Sequence, residues 1–141
     1  MMSGVMIKMG IFGILLAVSI TGFPELWICY LMLALSVISA VLGIIYAAGE
    51  SDMKKILAYS SVENIGIIMA GFSLGFIFKN YGNVYAAVFM FAGAFLHVLF
   101  HSFFKELLFF GAGAVYQNTH TRNIEELGGL SKKMKATAYL F

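Results

Sequence analysis

From Leu26 to Ala48 the chain carries no charged side chain. Wound as an α-helix at about 1.5 Å per residue, that run is long enough to cross the hydrocarbon core of a bilayer, about 30 Å thick. Gly22-Phe23-Pro24-Glu25 precede it and Gly49-Glu50-Ser51-Asp52 follow, both sets rich in residues that turn a chain. Three further apolar segments share its character. Ser3–Thr21 is interrupted only by Lys8, Ile56–Phe78 contains Glu63 and Asn64, and Val84–Tyr116 carries His97, His101, Lys105 and Glu106. Lipid offers backbone amides no water to bond, so such segments must satisfy their own hydrogen bonds as helices. The expected fold is all-α, a polytopic transmembrane bundle of four membrane helices plus a truncated fifth. The helices are expected at 3–21, 26–48, 56–78 and 84–116, followed by a polar loop at 117–135 and an apolar start at Ala136–Phe141, all in one transmembrane region, 1–141. As a single helix the fourth segment would measure about 50 Å, more than the hydrocarbon core, so it must tilt, break or protrude. Gly93, Gly111 and Gly113 are its candidate weak points.

Composition excludes the main alternatives. Apolar residues make up 61% of the chain and charged residues 11%, against about 25% charged in an average soluble domain. The net charge of +2 and the single tryptophan give no basis for nucleic-acid binding, and one cysteine cannot form a disulfide within the chain. Met1-Met2-Ser3 lacks the positive charge that opens a signal peptide, and the chain is expected to begin within one helix and stop within another. If the helices alternate in direction, one side holds Lys54, Lys55, Arg122, Lys132, Lys133 and Lys135 and the other Lys79 alone, which makes the first side cytoplasmic by the positive-inside rule.

The charges inside the apolar segments carry the functional information. A Lys or Asp near the bilayer centre costs about 2.5–3.5 kcal/mol on insertion scales, so each one is a functional hypothesis. His97, His101 and Lys105 follow one another at four-residue spacing and fall within about 80° of one helix face. Imidazole exchanges protons near neutral pH and an ammonium can donate one, so the column can relay protons. The bland alternative is a packed or hydrogen-bonded histidine pair. Metal binding is disfavoured because the His-x-x-x-His pair lacks both the glutamate of H-E-x-x-H and a third ligand. Lys8 either snorkels to the interface or is buried, depending on where its helix starts. Lys54 and Lys55 beside Asp52 are the kind of charge cluster found at a helix boundary. Glu63 requires a partner on a neighbouring helix or a proton of its own. Gly111-Ala112-Gly113 has no preceding strand and fits close helix packing rather than a phosphate loop.

The run His97-Val-Leu-Phe-His-Ser-Phe-Phe-Lys-Glu-Leu-Leu-Phe-Phe-Gly-Ala-Gly-Ala-Val115, with Thr121-Arg-Asn-Ile-Glu-Glu-Leu-Gly-Gly-Leu130 after it, resembles the signature of the proton-translocating antiporter-like membrane subunits. That family serves respiratory complex I, multi-subunit cation/proton antiporters and group 4 [NiFe] hydrogenases. Asp52-Met-Lys-Lys-Ile-Leu-Ala-Tyr-Ser-Ser61 resembles its D-[IL]-K-x-x-[IL]-A-Y-[ST] motif, and Ile7-Lys8 with Gly10 and Gly13 resembles its broken-helix lysine segment. Motif order and spacing agree over essentially the whole chain. Ser61-Val-Glu-Asn-Ile-Gly-Ile67 is most similar to the hydrogenase branch, the membrane components of formate hydrogenlyase and hydrogenase-4. The resemblance implies that Lys8 is the central broken-helix lysine, that Lys54 links two half-channels, and that His97, His101 and Lys105 connect them, with Glu63 as a charge partner. It also implies a longer parent of which this chain is roughly the middle third, since the family's upstream glutamate and its downstream lysine or glutamate are absent. Lys135 stands where the family commonly has proline. The expected role is that of a multi-pass subunit of the cell (inner) membrane in a hydrogenase-type complex, with other membrane and peripheral subunits as partners and no cofactor, metal or catalytic residue in this chain. A cation/proton antiporter or complex I-like parent is the alternative within the class, and a non-transporting structural segment the alternative outside it.

Overall fold

The computed structural model describes residues 6–130 and 134–140, and its described residues form helices and connecting turns, with no strand. The helices are α1 (Ile7–Thr21), α2 (Leu26–Ala48), α3 (Met53–Asn80), α4 (Val84–Thr119) and a short α5 (Lys135–Leu140), with a 3-10 turn at Ile124–Glu126 before α5. Expectations that fall on Ser3, Lys132, Lys133 and Phe141 lie outside the described residues. By length and apolarity α2, α3 and α4 can each cross a membrane, and α1 is a shorter apolar helix. The chain is therefore a membrane helix bundle.

Local chemistry sets the helix ends. Gly22 adopts φ 94° ahead of Pro24, which stops α1. The Asp52 carboxylate accepts the backbone N–H groups of Lys54 (2.8 Å) and Lys55 (3.4 Å), so α3 starts at Met53, three residues before the expected Ile56. Gly82 at φ 78° turns the chain from α3 into α4, where the Asn83 side chain accepts from the Ala86 N–H. The α4 helix runs unbroken for 36 residues, about 54 Å. Of the three options open to so long a segment (tilt, break or protrude), a break at Gly93, Gly111 or Gly113 is not the one taken. A mid-helix glycine costs about 1 kcal/mol, less than leaving backbone groups unpaired in lipid. The helix ends three residues past the expected Tyr116, where His120 takes the left-handed conformation at φ 56°.

Small residues bring α2 and α3 together. A Cβ added to Gly66 would stand 2.7 Å from both the Ala40 nitrogen and the Ser36 carbonyl, and one on Gly43 would stand 2.7 Å from the Glu63 nitrogen. Backbone meets backbone at this seam, the usual way for helices to associate in lipid. On the other side of α3, Phe72 and Phe76 pack edge-on against Phe95 and Phe91 of α4. Ile11 from α1 and Cys29 from α2 complete this core together with Ile68, Ile77 and Ala94. At one end of the bundle the Lys79 ammonium lies 2.8 Å above the Phe23 ring, and the Tyr30 and Tyr81 hydroxyls pair at 3.1 Å. At the other end the α2–α3 and α4–α5 connections are stitched together. The Met53 N–H donates to the Arg122 carbonyl, the Ile124 N–H to the Ser51 carbonyl (both 3.0 Å), and the Ser51 hydroxyl to Glu125. Those two connections therefore share one end of the molecule.

Candidate proton-relay site

The column predicted on α4 is assembled against α3. Lys105 and His101 are both fully buried, at 0% exposure. The Lys105 ammonium donates to the backbone carbonyl of Leu57 at 2.9 Å, and the Ser61 hydroxyl donates to the same carbonyl at 3.0 Å. Beyond its ladder bond the Leu57 carbonyl has one further lone pair, which Lys105 and the Ser61 hydroxyl share, so α3 meets the cation with its own backbone. His101 lies one turn before Lys105. Its ring meets Phe104 edge-on at 5.1 Å and stacks over His97 at 6.2 Å, inclined by 22°. Neither His101 nitrogen has a hydrogen-bond partner among the described residues. Buried polar atoms are seldom left in this state. His97 ends the column, with Nε2 3.0 Å from the Asn64 Oδ1.

Lys8 sits in the first turn of α1, half-buried, in a groove of about 330 Å³ whose other walls include Phe72 of α3 and Phe95, Val98 and Ser102 of α4. His101 lies within the electrostatic reach of Lys8, Lys105 and His97, so four of the five expected relay residues share one electrostatic neighbourhood. Their acidic counterparts come from two helices: Glu63 acts on Lys105 and Glu106 on Lys8. Glu106 was legible as an intramembrane charge in the sequence, but its electrostatic influence on Lys8 of α1 was not.

Lys54 stands apart from the column, packed 5.1 Å above the Tyr116 ring, which Arg122 also approaches at 4.9 Å. One turn of α3 separates Lys54 from Leu57, whose carbonyl holds Lys105. Asn64, Tyr116 and the Leu57 carbonyl are contributors that the reading of single residues missed. Leu57, Ser61 and Asn64 follow one another at i, i+4 and i+7 and so line one face of α3. A polar pair on that face was the available signal. Among the described residues no group of three or more His, Cys, Asp or Glu side chains is placed to hold a metal ion.

Residues 1–141 match the family described as the transmembrane region of NADH:quinone oxidoreductases and Mrp antiporters. The chain is 44% identical to hydrogenase-4 component B of Escherichia coli over 98% of its own length and 21% of that protein. It is 39% identical to formate hydrogenlyase subunit 3 of the same organism, over 94% of its length and 22% of that protein. Against NAD(P)H-quinone oxidoreductase chain 4 2 of Thermosynechococcus vestitus the identity is 32%, over 99% of the chain and 24% of the relative. The chain thus spans about a fifth to a quarter of the length of these relatives, less than the third that the resemblance implied.

Proposed function

This chain belongs to the NADH:quinone oxidoreductase/Mrp antiporter transmembrane family, and on that premise we propose that it relays protons through Lys8, Lys54, His97, His101 and Lys105 as part of a hydrogenase-type, proton-translocating membrane complex. The observation that carries the reading is the fully buried Lys105–His101 pair. A lysine held by a backbone carbonyl, next to an imidazole with both nitrogens unpartnered among the described residues, is costly to keep inside a membrane bundle, and use of its proton accounts for its being there. The hydrogenase parent is favoured by the higher identity to two E. coli proteins, a hydrogenase component and a formate hydrogenlyase subunit, than to the quinone oxidoreductase chain. In this reading the complex sits in the inner cell membrane, with other membrane and peripheral subunits as neighbours.

In this mechanism electron transfer in peripheral subunits changes the charge next to one lysine, and the change passes along the row. Two like charges about 8 Å apart at an effective dielectric of about 20 repel by about 2 kcal/mol. That is enough to change the proton occupancy of a neighbour more than tenfold. The Leu57 carbonyl accepts a hydrogen bond from Lys105 but takes no proton, and it stays in place whichever charge state the lysine has. Glu63 and Glu106 supply the compensating negative field from α3 and α4. Lys54 sits one helical turn earlier, at the start of α3, where it and Arg122 both face the Tyr116 ring near the end of α4. The test is Lys105→Met in the complete protein in its membrane, a change that keeps side-chain length and removes the proton site. Proton transport is expected to fall at least tenfold while the protein's level in the membrane is unchanged. His101→Ala is expected to act in the same direction but less strongly, because water can fill the space it leaves. Transport at the parental rate in both variants would make the column a structural histidine pair.

A further inference from the structure

Asn64 is held at both ends of its side chain. Its Nδ2 lies 2.8 Å from the Ser60 carbonyl and its Oδ1 lies 3.0 Å from His97 Nε2. A backbone carbonyl can only accept, so the amide NH₂ must face Ser60, and the amide oxygen must face the histidine. An amide oxygen accepts a hydrogen bond, so the proton in that contact belongs to His97 Nε2. We propose that Asn64 is a positioning residue that locks His97 in the Nε2–H form, so that His97 takes up and returns its proton only through Nδ1 and acts as the closed end of the column, not as a through-link.

The proposal rests on the relay reading above and narrows it at one residue: His97 stores and returns a proton at the end of the row and does not pass it on. For a proton to pass through an imidazole, one must bind at one nitrogen and another must leave from the second, which converts one neutral tautomer into the other. At His97 the leaving proton would have to move onto the Asn64 amide oxygen, a neutral group that does not hold a proton near neutral pH. The only balanced cycle left is uptake at Nδ1 to give the imidazolium, followed by release from Nδ1, with Nε2–H donating to Asn64 throughout. The titratable group stacked against His97 is His101 of α4; His101 in turn lies in the field of Lys8 on α1 and Lys105 on α4, and Lys105 in that of Glu63 on α3. His101 differs in kind from His97. Neither of its nitrogens is committed to a partner among the described residues, so it is free to bind at one nitrogen and release from the other.

The experiment is nitrogen NMR of histidine-labelled complete protein in bilayers, at a pH where imidazole is neutral, with the His97 signals identified by their loss in His97→Gln. The wild type is expected to show a bare Nδ1 and a protonated Nε2. Asn64→Leu, which removes the acceptor facing Nε2, should introduce an Nδ1–H population. An Nδ1–H form dominating in the wild type, or no Nδ1–H population in Asn64→Leu, would overturn the lock. Transport supplies the second arm. His97→Gln should slow proton movement less than tenfold, since an end store is lost and the path remains, and a loss as complete as that of Lys105→Met would overturn the closed-end assignment. Parental transport in Lys105→Met would instead remove the relay reading itself, whatever tautomer His97 adopts.

Discussion

His97, His101 and Lys105 were legible as a set because helical spacing alone puts them on one face, and titratable side chains are expensive in an apolar segment. What they bond to was not legible. The acceptor for Lys105 is the backbone carbonyl of Leu57, and a carbonyl has no signature in a sequence. The acceptor for His97 is Asn64, thirty-three residues away on another helix, and only the register of α3 against α4 brings them together. Lys54 shows the same limit. Its motif identified it, but its contact with Tyr116, shared with Arg122, comes from the fold. An aromatic face beneath a cation contributes about 0.5–1 kcal/mol at an exposed site and more when desolvated. Tyr116→Leu is therefore expected to lower the thermal stability of the detergent-solubilised protein by about 1 kcal/mol, while Tyr116→Phe, which keeps the ring, leaves the unfolding temperature almost unchanged. Equal losses in the two variants would assign the effect to the hydroxyl instead.

Among the elements, α2 followed directly from an uncharged run bounded by turn-forming residues. The starts and ends of α3 and α4 depended on caps. Asp52 pulls the start of α3 back to Met53 by accepting two N–H groups, and hydropathy does not register such a contact. The glycines were the least predictable, because the same residue plays different parts. Gly66 and Gly43 lie where α2 and α3 touch through their backbones, while Gly93 has open space around the position of a Cβ. Gly66→Ala would press a methyl group against the Ala40 nitrogen and the Ser36 carbonyl, neither of which can move without its helix, and overpacking of this kind costs about 1–3 kcal/mol. Gly93→Ala should be neutral or slightly stabilising, since it removes a flexible residue from a helix interior. Thermal unfolding of the two variants side by side checks the pair, and a larger loss for Gly93→Ala than for Gly66→Ala would contradict the packing described for the α2–α3 seam.

For the molecule as a whole, a bundle of antiparallel membrane helices was legible from four apolar segments and the turns between them. The hydrogen bonds that fasten the α2–α3 connection to the segment after α4 were not, because they run between residues such as Ser51 and Ile124 that have no complementary pattern in sequence. They make a topological prediction: single cysteines placed at Ser51 and Asn118 should be labelled from the same side of the membrane by an impermeant reagent, and labelling from opposite sides would break the arrangement. At this scale the central claim is that the buried row moves protons and does not merely hold helices together. The most direct measurement is the number of protons translocated per redox turnover by the complete complex in sealed vesicles, wild type against Lys105→Met. The account predicts that electron transfer continues in the variant while the proton yield per turnover falls at least tenfold. An unchanged yield in a fully assembled Lys105→Met complex would contradict it.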